Sequence, residues 1–412
     1  MRILVADKFE QSGLDALEAL GVDITNDASL DGDSLTEALR AQDIDVLVVR
    51  STKVTAPSIE AASKLSLIVR AGAGYDTIDV AAASKKGIFV ANCPGKNSVA
   101  VAELAWGLIL ACDRRIPDQT ADLRAGVWRK KEYAKASGLH GRTLGVVGLG
   151  TIGNEVASRG RAFGMNVIAW SRSLTPARAA QLGVAYRGSA VEVARDADVV
   201  SINVAATADT NQLVDAAFCA ALRPGAYLIN TSRGSVVDED ALKAAVRDKG
   251  VRVGLDVYAS EPAAGGENFA DDIVKETGVY GTHHVGASTD QAQEAIAGEA
   301  VRIIECYLKT GQVPNCVNHA AKTLATCLLT VRHQNKPGVL AHVFDALGDV
   351  GINVEEMENL IYEGEAAACA RIQLATLPAA ETLTRIRANE SILAAEVTEL
   401  AGTDDRGRGA WK

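Results

Sequence analysis

A chain of 412 residues is too long for one hydrophobic core, and 48% apolar with 23% charged residues is the composition of ordinary globular domains, two or three of them. A formal charge of −10 and a pI near 5.3 set a field that repels nucleic acid and anionic lipid, so neither is expected as a partner. No apolar run is long enough to span a bilayer, the N-terminus lacks a signal-peptide core, and seven widely spaced cysteines without a CxxC read as reduced thiols; a cytoplasmic setting without a metal site is expected.

Aromatic residues are scarce at 4%, and aliphatic cores of this kind suit parallel strands covered by helices. Strands are expected at 2–6, 46–50, 67–70 and 88–91, alternating with amphipathic stretches such as 12–20 and 34–40. A long apolar helix follows at 99–111. A second βα series then sets strands at 143–149, 166–170, 199–203, 226–230, 251–256 and 278–282, the rhythm of a doubly wound dinucleotide domain. A helix at 289–309 leads to a linker at 313–321. Beyond it the pattern changes to a strand at 324–332, a helix at 338–348 and a strand at 369–374, a small α+β module of ββαβ type. The fold expected is therefore α/β, with two doubly wound Rossmann-like parallel-sheet domains and a small α+β domain. Residues 1–98 and 285–320 form a discontinuous substrate-binding lid, 99–284 the dinucleotide domain, 324–402 the small module, and 403–412 a polar, frayed tail.

The first strand of the second series runs into Gly148, Leu149, Gly150, Thr151, Ile152 and Gly153, a GxGxxG followed by a helix expected at 154–163. Gly148 permits a tight turn, Gly150 lets the backbone approach a pyrophosphate, and Gly153 lets helix and strand pack closely; the helix start then directs its amides at the phosphates. The strand and helix on either side lift this match above chance. An acid at the end of the next strand would bind the ribose hydroxyls and reject a 2′-phosphate. That strand ends instead in Ser171, Arg172 and Ser173, so both NAD and NADP are open.

Five segments in order, 70–76 (RAGAGYD), 145–153, 230–238 (NTSRGSVVD), 255–262 (LDVYASEP) and 282–289 (THHVGAST), make the chain resemble the D-isomer-specific 2-hydroxyacid dehydrogenases over nearly its whole length. The resemblance implies that Arg233 binds the substrate carboxylate with its planar fork. It implies that His284 is the acid/base and that Glu261 pairs with it, orients it and favours its charged form. His284 has a neighbouring rival in His283; direct precedence before the Val-Gly-Ala-Ser run favours His284. Further positions implied at the cofactor are Asp256 at the nicotinamide carboxamide, Thr231 and Ser232 beside it, and Asn203, Val204 and Ala205 in place of the family's usual His-Val-Pro wall.

Within the family, Arg50, Ser51, Arg70, Ala71, Gly72, Ala73 and Asn97 resemble the substrate side of those members that oxidise 3-phosphoglycerate in serine synthesis. There a glycine-rich nest offers amides to a carboxylate and arginines hold a phosphate. These are the local positive charges that an acidic chain needs for a small anionic 2-hydroxy acid. The C-terminal module resembles an ACT domain, with His333, Asn335 and Asn353 at the positions that contact an effector, which for such members is L-serine. A homo-oligomer, dimer or tetramer, is implied. The alternatives are a glyoxylate or hydroxypyruvate reductase, which Ser171 and Arg172 favour mildly, and a non-catalytic NAD-sensing corepressor, which an intact Arg233, Glu261 and His284 set disfavours.

Overall fold

The computed structural model describes residues 1–262, 266, 268–320 and 323–400; the expected tail at 403–412 and the end of the module at 401–402 lie outside the described residues. The chain divides into two compact units, Met1–Asn318 and His319–Lys412.

The first unit holds two parallel sheets. Strands β1 (Arg2–Val5), β2 (Asp23–Asn26), β3 (Val46–Val49), β4 (Leu67–Arg70) and β5 (Phe89–Asn92) assemble in the order β2-β1-β3-β4-β5. The inner strands read Val-Leu-Val-Val and Leu-Ile-Val, buried on both faces, because helices cover the sheet on each side. One of those helices is Asp290–Thr310, far along the chain, whose Ile296, Ala300, Ile303 and Ile304 pack on Val46, Val48, Leu67 and Val69. Burial of each such isoleucine, leucine or valine side chain contributes about 1.5–3 kcal/mol. Strand β2 is absent from the sequence reading. Its Asp-Ile-Thr-Asn is an exposed edge with no apolar run, so hydropathy carries no signal for it.

The second sheet contains β6 (Thr143–Val147), β7 (Asn166–Trp170), β8 (Ala185–Tyr186), β9 (Val199–Ile202), β10 (Tyr227–Asn230), β11 (Arg252–Leu255) and β12 (Val279–Gly281), ordered β12-β11-β10-β9-β6-β7-β8. The order reverses between β6 and β9, and ligands of doubly wound folds bind outside the strand ends at such a switch point. The apolar helix Ser98–Arg114 lies beneath β10, β11 and β12, with Trp106 stacked on Phe163 at 4.4 Å and its indole N–H donating to the Val156 carbonyl at 3.2 Å. Among the described residues, no helix is long and apolar enough to cross a membrane.

The second unit corrects the ββαβ expectation. Strands β13 (Cys327–Gln334), β14 (Val354–Ile361), β15 (Ala367–Leu374) and β16 (Ile392–Glu399), with helices Val339–Gly348 and Ala380–Arg387, run βαββαβ in one antiparallel sheet ordered β14-β15-β13-β16. The missed strands β14 and β16 carry three glutamates and two glutamates respectively among their eight residues and are sheet edges, so they lack the apolar alternation that marks β13.

Candidate active site

Most of the candidate residues lie at the carboxyl ends of strands. Arg50 follows β3, Arg70 ends β4, Ser171 follows β7, Asn203 follows β9, Thr231 follows β10, Asp256 follows β11 and His284 lies just beyond β12. In parallel sheets these ends gather at one edge, which is where doubly wound folds hold ligands.

The glycine loop fits a dinucleotide. Strand β6 stops at Val147, and the helix Thr151–Ala162 starts three residues before the expected 154, so Gly150 caps it and Gly153 sits in its first turn. Gly148 has φ +93°, and a Cβ there would lie 2.6 Å from the Asn203 carbonyl oxygen; one on Gly153 would lie 2.0 Å from the Gly148 oxygen. Above Gly150 the space is open. Thr151 and Ile152 form the start of the helix, whose unpaired amides suit phosphate. Val204 packs against the Gly148 turn, and the Ala205 carbonyl accepts from Thr210 Oγ1 at 2.6 Å, which fixes the wall beyond β9. Toward the expected nicotinamide end, Thr231 Oγ1 is buried without a hydrogen-bond partner, as are Asn97 Oδ1 and Ser98 Oγ at the start of the apolar helix. Buried orphan hydroxyls and amides of this kind fit a polar ligand. At the opposite end Ser171 is half-buried, and Arg172 Nη1 lies 3.1 Å from Asp209 with both side chains exposed.

The catalytic candidates are brought together around the strand ends. His284 Nδ1 lies 2.7 Å from Glu261 Oε2, while Glu261 Oε1 accepts the Tyr258 N–H at 3.0 Å. Half-burial alone would raise the Glu261 pKa. The hydrogen bond from His284, the Tyr258 amide and the charges of His284 and Arg233 outweigh it, and the carboxyl is held below its ordinary 4.5. His284 sits at φ +54°, a sparsely populated conformation for a residue with a Cβ. Asp256, implied as a carboxamide contact, is 1% exposed and holds this loop: Oδ1 accepts from Thr282 Oγ1 at 2.6 Å and from Val285 N at 2.9 Å, and Oδ2 from Gly286 N at 2.8 Å.

Arg233 is fixed from two sides. Asn230 locks the turn, its Oδ1 accepting from Ser232 N and Ser232 Oγ at 3.0 and 2.7 Å and its Nδ2 donating to the Arg233 carbonyl at 3.0 Å. The guanidinium donates through Nη1 to the Ser232 carbonyl at 2.8 Å, and Nε and Nη2 reach Asp76 at 3.4 and 3.1 Å. Asp76 belongs to the loop after β4 in the first sheet. It ends the RAGAGYD segment quoted above, yet as a surface-type acid in a loop it carried no catalytic signal.

The same loop holds the expected substrate side. Arg70 is mostly buried with Nε unpartnered. Burial first, then the like charges of Arg233 and Arg50, press its pKa down, while Asp76 opposes them. Ala71 is buried, and a Cβ on Gly72 would collide with the Arg70 guanidinium. The amides of Ala73 and Gly74 donate to no protein group among the described residues. Arg50 and Ser51 stand in a turn that sequence reasoning did not explain: Asp7, at the end of β1, accepts the amides of Arg50, Ser51 and Thr52 at 2.6, 3.1 and 3.0 Å and the Ser51 hydroxyl at 2.9 Å. An acid at the carboxyl end of the first strand was the available sign.

In the second unit, His333 and Asn335 lie at one end of the sheet and Asn353 at the other. Asn335 N donates to Ala366 O, whereas Asn353 O accepts from Ala375 N, roughly 30 Å away along β15. The expected trio is therefore not assembled within one module. His333 is 2% exposed, with Nδ1 on the Gln334 carbonyl and Nε2 on Asn359 Oδ1. Asn335 donates to the Glu365 carbonyl and Asn353 to Glu355 Oε1. Among the described residues, no cluster of metal-binding side chains occurs.

A family model for the "D-isomer specific 2-hydroxyacid dehydrogenase, NAD binding domain" matches residues 106–286. The chain is 39% identical to a D-3-phosphoglycerate dehydrogenase of Methanocaldococcus jannaschii over 77% of this chain and 59% of that protein. It is 42% identical to a hydroxypyruvate reductase of Thermotoga maritima over 64% of this chain and 84% of that one. An NADPH-dependent glyoxylate/hydroxypyruvate reductase of Sinorhizobium meliloti, solved with NADP and malonate, superposes with a TM-score of 0.65 at 30% identity, covering 77% of this chain and 96% of that one. The chain spans about three fifths of the length of the M. jannaschii relative and of the Mycobacterium leprae D-3-phosphoglycerate dehydrogenase, which is 40% identical. With a dinucleotide loop at the switch point, a histidine–glutamate pair beside a braced arginine, and this identity along most of a relative's length, the chain belongs to the D-isomer specific 2-hydroxyacid dehydrogenase family.

Proposed function

We propose that the chain is a D-3-phosphoglycerate dehydrogenase that reversibly oxidises 3-phosphoglycerate to 3-phosphohydroxypyruvate with NAD(P), the first step of serine synthesis. One observation carries the substrate: Arg50 and Arg70 stand at the ends of the paired strands β3 and β4, and the mostly buried Arg70 feels the charges of both Arg233 and Arg50, with Asp76 the acid that opposes them. A 2-hydroxy acid with a single carboxylate needs one arginine. Two more suit a phosphate at the other end of a three-carbon acid. The relatives bearing this name support the same reading.

When bound, the nicotinamide supplies the hydride acceptor. The chain's residues do the rest. Arg233 holds the carboxylate and polarises the neighbouring C2–O bond. Nδ1 of His284 is engaged by Glu261, which leaves Nε2 for the substrate. Neutral His284 takes the C2 hydroxyl proton as the C2 hydrogen departs with its electron pair, and the C2–O bond becomes a carbonyl; in reduction the imidazolium returns the proton. Residues 1–98 with 285–320 act as the substrate-binding lid and 99–284 as the cofactor domain. The seven cysteines, all free, support a cytoplasmic setting. The antiparallel βαββαβ module supports an ACT-like role in which L-serine acts as effector. Because Asn335 and Asn353 lie at opposite ends of one module, a site using both takes one residue from each of two copies, which accords with a homo-oligomer.

The second reading, a glyoxylate or hydroxypyruvate reductase, is favoured by Ser171 and Arg172, which lack the acid that rejects NADP. Steady-state assays with 3-phosphoglycerate, glycerate and glyoxylate, each with both cofactors, decide between them. The highest kcat/KM with 3-phosphoglycerate upholds the first, and the highest with glyoxylate or glycerate replaces it.

A further inference from the structure

The Arg233 guanidinium has three nitrogens, and two of them already face Asp76. Nε and Nη2 reach its carboxylate at 3.4 and 3.1 Å, while Nη1 is tied to the Ser232 carbonyl. The fork is thus held along its Nε/Nη2 side, and its Nη1/Nη2 end is left for a second carboxylate. Gly74 leaves room for this arrangement: a Cβ there would lie 2.1 Å from Nη2 and 2.9 Å from the Asp76 carboxylate. Arg233 extends from the second sheet and Asp76 from the loop after β4 in the first, so the pair crosses between the sheets. The acid's side chain is more than half exposed, and although such burial as it has works to raise its pKa, the hydrogen bond and charge of Arg233 hold it below its ordinary 3.8.

We propose that Asp76 is a positioning residue for the substrate: it fixes the roll of the Arg233 fork so that the free end meets the substrate carboxylate two-pronged. This rests on the 2-hydroxyacid chemistry proposed above. The idea makes a prediction of unusual sign. Asp76 is a negative charge beside an anion site, so by Coulomb's law alone its removal should tighten the binding of an anionic substrate. If Asp76 positions Arg233, its removal weakens binding instead, because a loose fork loses the geometry of the two-pronged contact.

The test is Asp76→Asn, close in shape and at a partly exposed site. The substrate is whichever 2-hydroxy acid the wild type turns over best. Its KM is expected to rise about tenfold with kcat changed by less than about threefold, and the Kd for NADH by fluorescence titration to stay the same, which also reports folding. In an Arg233→Lys background, which has no fork to orient, only the charge effect remains, and Asp76→Asn is expected to lower KM or leave it unchanged. A lower or unaltered KM in the single variant, or a rise of equal size in the Arg233→Lys background, overturns the proposal. A wild type that binds NADH yet turns over no 2-hydroxy or 2-oxo acid overturns the proposed function and this proposal with it, whereas a failure of Asp76 alone leaves wild-type turnover intact.

Discussion

The carboxylate of Asp256 accepts the backbone N–H of Val285, the residue directly after His284, at 2.9 Å. The Gly286 amide and the Thr282 hydroxyl also donate to it, and the residue is 1% exposed. The acid is thereby linked to the strained φ +54° of His284 through the loop. Asp256→Asn puts an NH₂ group where one carboxylate oxygen accepted hydrogen bonds, and a buried mismatch of this kind costs about 1–3 kcal/mol. The expected result is a lower Tm together with a lower kcat for the favoured 2-hydroxy acid. A variant with lowered Tm and undiminished kcat leaves Asp256 a stabilising residue only.

His284 and His283 separate cleanly. Among the described residues, of the two only His284 has a carboxylate partner, Glu261 at 2.7 Å. His284→Ala should lose about 10²–10⁴ in kcat with NADH affinity retained, since a positioned acid/base contributes about that much. His283→Ala should remain active. Single-turnover rates beside NADH titrations check this, and an inactive His283 variant next to an active His284 variant reverses the assignment.

The sequence made the central elements legible because buried parallel strands advertise themselves: β4 and β7 were expected at their observed bounds, and β3 and β9 to within one residue. The glycine loop was legible because Gly148 and Gly153 sit where a Cβ would strike backbone, and Gly150 between them leaves the helix start open. What stayed hidden were polar brackets made across the fold. Asp7 and Asp76 look like surface acids in one dimension; they acquire meaning only when β1 lies beside β3 and the loop after β4 meets the turn after β10. The edge strands β2 and β14 were hidden for a related reason, since an exposed edge needs no apolar pattern. Asn335 and Asn353 were read as one site because their separation is a matter of register, which residue spacing does not carry.

Glu299 gives the first unit an acid-sensitive joint. It is 7% exposed and meets Arg302 at 2.6 and 3.0 Å, Asn315 at 2.8 Å and Lys96 at 3.2 Å, joining the helix Asp290–Thr310 to the loop beside Asn97. The hydrogen bond from Arg302 leads; burial opposes it, Asn315 and Lys96 add to it, and the pKa is lowered from 4.5 to about 2. Between those values the unfolded chain binds a proton that the folded chain does not. The contribution is therefore complete above the ordinary 4.5 and is lost as pH falls toward about 2. Its size is ~2 kcal/mol once screening of the half-exposed Arg302 is allowed for. Glu299→Gln should flatten the acid limb of a Tm-versus-pH curve while lowering Tm near neutrality; an acid limb as steep as the wild type's would place the joint elsewhere.

Cofactor choice turns on the end of β7. Ser171 adds no charge there, and Arg172 lies 3.1 Å from Asp209, whose turn is fixed by reciprocal bonds between Thr207 and Thr210. With Asp209 removed, Arg172 gains freedom to meet a 2′-phosphate. Asp209→Ala should therefore shift the ratio of kcat/KM toward NADP by severalfold, and Ser171→Asp should shift it toward NAD by charge repulsion. The shifts should shrink in high salt because the pair is exposed. Unchanged ratios in both variants would mean that the ribose is recognised by other residues.

Serine control supplies the last prediction. An amino acid zwitterion needs donors for its carboxylate and acceptors for its ammonium, and side-chain amides supply both. Asn335 and Asn353 are such amides, but the eight residues of β15 separate the positions they pair with, Ala366 and Ala375. A junction between two modules packed head to tail brings Asn335 of one beside Asn353 of the other, and does so twice. Calorimetry with serine should then give heat with the wild type and none with either Asn335→Ala or Asn353→Ala, with basal activity unchanged in both. Coupling to the active site of ~1–3 kcal/mol suffices for useful inhibition. Mixing the two inactive variants and allowing them to reassemble is the sharper measurement. In a mixed pair one junction has lost both amides and the other has kept both, so serine binding should return. Heat in the Asn353→Ala variant alone would mean a site within one module, and no heat with the wild type at millimolar serine would leave the module a role in assembly only.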